Sequence, residues 1–579
     1  MINKNKDVFL RIVIGATIGI LAFIAIYGTN VLDVTNDRWI LSGYAEWDVQ
    51  QHYAGWLNFN NSSWEFPLGQ ADKMGYPADK GVNISFTDSL PLVSIFFKAL
   101  SPLFPEHFQW FGLYELFTFS MQGIAAMLLL ACFSIPLIPS TIGGMLLCLS
   151  PIMIERSFRH IALSSHYIIL FALLVYFLYR KSGKYPWKAM MVLSILSVGI
   201  TPYFLPMVMI FVLALCVDNV LCGHSCKRAL AFFSFNILVA LTTAFCLGSI
   251  GNGYSSSRDG YGFYSMNLNA LINPSSQGGY VWSRILPVRH LLYGQYDGFN
   301  YVGAGVLFLI GFVLTAGIYL GIKKRFRLKD CIQNNITLVI VSVFLTAFAA
   351  SNVVCFDQTE IARIPMPDFL EKLCGIFRAS SRMFYPVFYL IIIAGIVMTY
   401  RFCIMIVTEK RIRYHHVGVK IAVVVLLICL SVQCYDIGDL LSLKHSEMQS
   451  KCNLDMNMPM VLKELDSYEY IFVSNEEQSR YQLIIAGYNK LSSNGVATSA
   501  RSLSHWKTSE YTQQIHDELS DDILRADTVY STIDLEEFNQ WKASFSDRAT
   551  FAEWNMTEIP NTHIWENSKI VFFMMPNDV

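Results

Sequence analysis

The feature that most constrains this chain is a succession of apolar stretches, each about as long as a bilayer is thick. A helix rising about 1.5 Å per residue needs about 20 apolar residues to cross about 30 Å of hydrocarbon. Runs of this kind lie at 8–28, 108–133, 135–154, 161–179, 187–201, 203–221, 229–250, 301–321, 333–351, 383–406 and 417–435. The expected fold is an α-helical polytopic membrane protein with about 11 transmembrane helices over residues 1–435. Charged residues are 15% of the 579, against about a quarter in ordinary soluble chains, which argues against a soluble enzyme. The first run follows Asn3, Lys4, Asn5 and Lys6, is too long for a cleaved signal peptide, and reads as a retained anchor. Thr201, Pro202 and Pro206 divide 187–221 into two spans, because both flanks are basic. Leu90 to Phe104 has only 15 residues, includes Lys98, and reads as an interfacial or re-entrant helix.

Lys and Arg favour the cytoplasmic ends of spans. With the N-terminus inside, the short inner segments (the first eleven residues, 180–188, 222–228, 322–329 and 401–420) hold 19 of them. The outer segments 29–89, 155–160, 251–300 and 352–382 cover 148 positions and hold 12. The long loops are therefore all expected on the side of the membrane away from the cytoplasm, and an odd number of spans sends the C-terminus there too. Residues 451–579 carry 20 Asp+Glu against 10 Lys+Arg, an acidic tail on a basic membrane part. The tail alternates short apolar and helical patterns: strands at Tyr470 to Val473, Gly495 to Thr498, Thr528 to Ser531 and Ile570 to Met575, and helices at Glu476 to Tyr488 and Ser509 to Leu519. It is expected to form an extracytoplasmic α/β domain over 450–579. No basic run with interleaved aromatics points to nucleic acid.

Most of the thirteen cysteines lie in apolar runs, where cysteine behaves as a small hydrophobe. Cys222, His224 and Cys226 match no zinc spacing well, and Cys355 and Cys374 share a loop in which they can pair if it is oxidised. No cofactor is expected and no metal site is assigned, although a divalent ion stays open.

The first outer loop concentrates chemistry. Residues 29–89 hold eight acidic groups (Asp33, Asp37, Glu46, Asp48, Glu65, Asp72, Asp79 and Asp88) and four of eleven tryptophans. Carboxylates that bond hydroxyls beside aromatic faces suit a sugar; an aromatic belt with solvated acids has the same composition. If 43–56 is helical, Asp48, His52 and Trp56 share one stripe, and a carboxylate and an imidazole one turn apart can act as a general base. An ordinary surface hydrogen bond between Asp48 and His52 fits the same spacing. Glu155 to His160 reads as a tight outer turn carrying Arg156 and Arg159, with His166 a little deeper. Arg378 and Arg382 precede a later span. Such arginines suit a lipid phosphate, or else snorkel to headgroups.

The order Asp48-x-x-x-His52-Tyr53-x-Gly55-Trp56, Trp64-x-Phe66-Pro67-Leu68-Gly69, Thr87-Asp88-Ser89, Phe108-Gln109, Gly294-Gln295-Tyr296-Asp297-Gly298-x-Asn300-Tyr301 and Phe377-Arg378-Ala379-Ser380-x-Arg382 resembles an uncharacterised bacterial family of integral membrane proteins over residues 30–390. That family is similar in layout to the GT-C glycosyltransferases. The resemblance implies a polyprenyl-phosphate sugar donor, an envelope glycan or other acceptor, inverting transfer with Asp48 as base, and no obligatory metal. It implies donor-phosphate binding by Arg156, Arg159, Arg378 and Arg382, with Asp88, His160, His166, Gln295, Asp297 and Trp56 around the substrate. The sequence departs from the family at Asp297, where a glutamate is expected, and at Ser381, where a glycine is expected. The alternative is a transporter or flippase of polysaccharide or lipid-linked sugar, which calls for ionisable groups at the bilayer midplane; Glu115 and Gln122 are the polar groups inside a span.

Overall fold

The computed structural model describes residues 4–41, 46–77, 81–250, 254–256, 261–276, 280–408, 415–449, 458–474, 480–495, 500–555 and 570–577. The helices are α1 (Lys4–Tyr27), α2 (Arg38–Leu41), α3 (Glu46–Asn61), α4 (Pro91–Leu100), α5 (Phe111–Cys132), α6 (Leu137–Cys148), α7 (Pro151–Arg159), α8 (Tyr167–Ser182) and α9 (Trp187–Ile200). Next come α10 (Phe204–Leu221), α11 (Cys226–Leu247), α12 (Ala304–Ile322), α13 (Leu328–Asn334), α14 (Ile336–Ala350), α15 (Asp368–Cys374), α16 (Tyr385–Val407) and α17 (His415–Glu447). Every one of the eleven apolar runs is helical. Among the described residues eight helices are long and apolar enough to cross a membrane, or up to ten if each bent pair is one span, as in a multi-pass membrane protein. The remaining run, α9, has 14 residues, about 21 Å of helix, and falls short of the hydrocarbon thickness on its own.

Close contacts to the main chain tie helices of the body together at two places. Gly15 and Gly19 on α1 face Gly123 and Phe119 on α5, and a Cβ at either glycine would run into the opposing backbone. This small-residue seam lets the two helices close with main chain against main chain. At the other side Asp436 and Gln433 of α17 cap the first amides of α12: Ala304 N–H donates to Asp436 Oδ2 at 2.9 Å and Gly305 N–H to Gln433 Oε1 at 3.1 Å. They satisfy donors that a helix start leaves open.

The stretch 155–160 is not a tight turn. Pro151 has no N–H to continue the ladder of α6, so the chain bends by 46° and restarts as α7, which carries Glu155, Arg156 and Arg159 into the protein. Residues 90–103 form the short helix α4 and a turn after it, and stay below the length of a span.

The C-terminal domain is a five-stranded sheet with helices. Its strands are β6 (Tyr470–Val473), β7 (Ser492–Ser493), β9 (Thr528–Thr532), β10 (Ala549–Asn555) and β11 (Ile570–Pro576), once short ladders β1 (Gln70–Ala71) with β2 (Val82–Asn83), β3 (Tyr254–Ser256) with β8 (Ala500–Ser502), and β4 (Val353–Phe356) with β5 (Thr359–Arg363) are counted. The sheet order is β10-β11-β9-β6-β7, with β6 parallel to both neighbours and β11 antiparallel to both of its own. Its helices are α18 (Arg480–Tyr488), α19 (Leu503–Ser520) and α20 (Leu535–Phe545). Most of the expected strand at 495–498 lies outside the described residues; α20 and β10 are additions to the expected pattern. The domain sits on α3: Asn58 Nδ2 donates to Leu483 O at 2.8 Å, and Tyr76 N–H to Ser493 O at 2.8 Å. The apolar core continues from the helices through α3 into Leu483, Ile484 and Val529.

Candidate functional site

The site is assembled by α3, the turn at 87–90 and the end of α7. Gly55, one turn after His52, has no Cβ; one placed there would strike Ser89 Oγ and Thr87 Oγ1. The turn can therefore lie directly on α3, where Ser89 Oγ donates to His52 O at 2.9 Å and shares a hydrogen with Thr87 Oγ1 at 2.6 Å. Held this way, Asp88 takes a left-handed backbone (φ 56°), a conformation Asp tolerates better than most residues, and turns its carboxylate towards two imidazoles. His160, the residue that ends α7, brings Nε2 to 3.6 Å from Asp88 Oδ2. The rings of His52 and His160 meet edge to face at 5.0 Å. Among the described residues this is the one group of three His, Cys, Asp or Glu side chains arranged to share an ion, with one ligand atom from each lying within 4.8 Å of the others.

The electrostatics derive from burial. His52 is wholly buried, and among the described residues both of its ring nitrogens lack hydrogen-bond partners; His160 Nδ1 is in the same state. Burial, and then the neighbouring His160, push the His52 pKa down to about 3 against the pull of Asp88, so the ring is neutral at physiological pH. Burial works to raise the Asp88 carboxyl, but the nearby His160, with His52 and Arg382 behind, holds it below the usual range. Asp88 retains 31% of its side-chain exposure, so the cluster opens outward at the carboxylate.

Beside it lies an arginine cluster built around Asp297. Arg156 Nη1 donates to Asp297 Oδ1 at 2.8 Å and Nη2 to the Asp297 carbonyl at 2.8 Å, while Nε donates to Tyr385 Oη at 2.8 Å. Arg382 Nε and Nη2 both reach the same carboxylate at 3.1 Å. Burial favours the neutral acid, yet two guanidiniums overcome it and keep the Asp297 carboxyl far below its ordinary range. Two cations around one anion leave a net positive charge, and Arg382 Nη1 has no hydrogen-bond partner among the described residues.

Several expected roles are revised. Asp48 and His52 share a face of α3, yet they form no hydrogen bond: the carboxylate against His52 is Asp88, and Asp48 is half-buried where its charge acts on Arg480 of the C-terminal domain. Trp56 is core, wholly buried between Phe108 and Trp110, with Nε1–H on Phe108 O at 2.8 Å. Arg159 pairs with Glu155 at 3.0 Å and lies over the Tyr280 ring, so its charge is spent inside the protein. Gln295 is satisfied between Asn267 Nδ2 and Ser265 Oγ and braces a loop. Asp297 holds the arginines, which leaves no free carboxylate oxygen to meet a sugar. Arg378 is half-buried over Tyr264 and forms no ion pair among the described residues. His166 Nδ1 meets Tyr389 Oη at 2.7 Å, inside the helical body. Cys355 and Cys374 are free thiols, as are Cys222 and Cys226. The sequence signal for the missing partner was the pair Gly55 and Thr87-Asp88-Ser89, a helix glycine matched to a polar turn.

Compared with protein families, residues 16–438 match the model described as "Domain of unknown function (DUF6311)". No curated protein matches the chain.

Proposed function

The chain belongs to the DUF6311 family, and from that premise we propose that it is a membrane glycosyltransferase that moves a sugar from a polyprenyl-phosphate donor to an envelope glycan or other acceptor. The observation that carries this reading is the adjacency of a carboxylate–imidazole cluster and a net-cationic arginine cluster, at the end of an apolar helix bundle and beneath an α/β domain. Arg382, with a donor to spare, and Arg378 stand at the entry to α16, where a lipid phosphate would sit with its chain among the spans. Asp48, on the face of α3 that meets α18, is the proton acceptor. It takes the proton of the acceptor hydroxyl as that oxygen bonds to the anomeric carbon, and the bond from that carbon to the phosphate oxygen breaks. The electron pair leaves on the lipid phosphate, and attack from the opposite side inverts the centre. Arg156 and Asp297 are positioning residues that aim Arg382. The distribution of Lys and Arg supports an extracytoplasmic position for this end of the bundle, with eleven spans when α9 is counted as one.

The test is reconstitution in liposomes with a polyprenyl-phosphate sugar, with glycan and remaining donor read by mass spectrometry. Asp48→Asn should lower transfer by about 10²–10⁴-fold without changing thermal stability. Undiminished transfer in that variant removes the assigned base. Movement of a fluorescent lipid-linked sugar across the bilayer by wild type, with none transferred, replaces this reading by a transporter.

A further inference from the structure

We propose that His52, Asp88 and His160 form a binding site for one divalent transition-metal ion of the zinc class. Three residues from three separated parts of the chain converge so that one nitrogen of each imidazole and one carboxylate oxygen lie within 4.8 Å of one another. The independent observation is the state of the imidazoles. His52 is wholly buried, and neither of its nitrogens finds a donor or acceptor among the described residues; His160 Nδ1 is likewise unpaired. Buried polar groups are normally paired, and a fully buried imidazole with two open nitrogens is costly unless something else supplies the bond. An ion supplies it.

The donor set fits. Two imidazoles and one carboxylate are borderline ligands, suited to Zn²⁺ and its neighbours and unsuited to Ca²⁺ or Mg²⁺, which take oxygen. Ligand atoms around a tetrahedral zinc stand about 3.3 Å apart, from bonds of about 2.0–2.1 Å. His160 Nε2 and Asp88 Oδ2, at 3.6 Å, are already close to that separation. Three protein ligands leave the fourth position vacant, as in sites that present an ion to a small molecule, and the part-exposed Asp88 marks the side from which that molecule enters. The turn that carries Asp88 is fixed through Thr87 and Ser89 to the backbone of α3, so the carboxylate is held in place before an ion arrives. This site stands whether or not the protein transfers sugar.

The experiment uses the full chain purified in detergent through a tag without histidine, stripped with chelator, and titrated with Zn²⁺ and with Co²⁺. Wild type should bind one ion per chain by mass spectrometry of the eluted metal, and the cobalt form should show visible bands without a thiolate charge-transfer band. His52→Ala and His160→Ala should each lower affinity at least tenfold, and His224→Ala should leave it unchanged. Wild type that binds no stoichiometric ion overturns the site. So does a strong thiolate band, which would place the ion at Cys222 and Cys226, and so does full binding by both histidine variants. If either variant fails to fold, the wild-type stoichiometry and cobalt spectrum decide by themselves. A bound ion without sugar transfer upholds the site and overturns the transferase; transfer that persists in a chain shown to bind no ion does the reverse.

Discussion

The two buried clusters at this end of the bundle are both ionic, and they are built on opposite terms. Around Asp297 the bonds are nearly complete: Arg156 spends Nε, Nη1 and Nη2, and the carboxylate accepts from two guanidiniums. Around Asp88 the bonds are few: a 3.6 Å contact to His160 and imidazole nitrogens with no partner among the described residues. A finished network fixes the positions of the elements that contribute to it, here α7, the 295–298 turn and the start of α16. An unfinished one costs stability until a ligand completes it, which is what binding sites do. The contrast separates a cluster whose bonds fix the elements around the site from one whose nitrogens stay open to an ion.

The sharpest way to break this distinction is to remove the hub of the finished cluster. Asp297→Ala leaves two buried guanidiniums without an anion, and breaking a buried pair from one side costs about 3–5 kcal/mol. Thermal unfolding in detergent should fall by many degrees, and a variant as stable as wild type would show that the arginines are solvated rather than held. Gly55→Ala should come next. Its new methyl collides with Ser89 and Thr87, and overpacking of this kind costs about 1–3 kcal/mol. Because the turn carries Asp88, zinc affinity should fall about 10–100-fold as well, read in the same titration. A stability loss with unchanged affinity would mean that the turn does not set the carboxylate.

Much of the fold was legible and much of the site was not, for one physical reason. An apolar run of about 20 residues carries its own structural instruction, so all eleven runs became helices; the bends came from prolines such as Pro151, which the sequence also displays. A cluster formed by His52, Asp88 and His160 depends on how α3, a turn and α7 pack, and no periodicity in the chain reports that. Helical spacing therefore offered Asp48 as the partner of His52, since periodicity reveals only neighbours on the same helix. The same limit assigned Arg156 and Arg159 one role. Lying three residues apart on α7, they went to different anions, Asp297 and Glu155. In the C-terminal domain α20 was missed although its signals are in the sequence: Asp534 accepts from the amides of Glu536 and Glu537 as an N-cap, and Phe538, Trp541 and Phe545 recur at helical spacing as its buried face.

The smallest effect is also the most diagnostic. In the presence of chelator, His52→Phe replaces an imidazole with two unpaired buried nitrogens by an apolar ring of similar shape. An unsatisfied buried polar group costs about 1–3 kcal/mol, less whatever strain the slightly larger ring adds, so the variant should be as stable as wild type or more stable by up to about 1 kcal/mol. An equivalent change in the finished cluster cannot do this, because every group removed there leaves a partner behind. Zinc then separates the two proteins: at a free concentration a hundred times the dissociation constant, wild type should gain about 2.7 kcal/mol and the variant nothing. If His52→Phe instead unfolds the chain in chelator, His52 belongs with Asp297 among the residues that hold the structure, and the distinction between the two clusters fails.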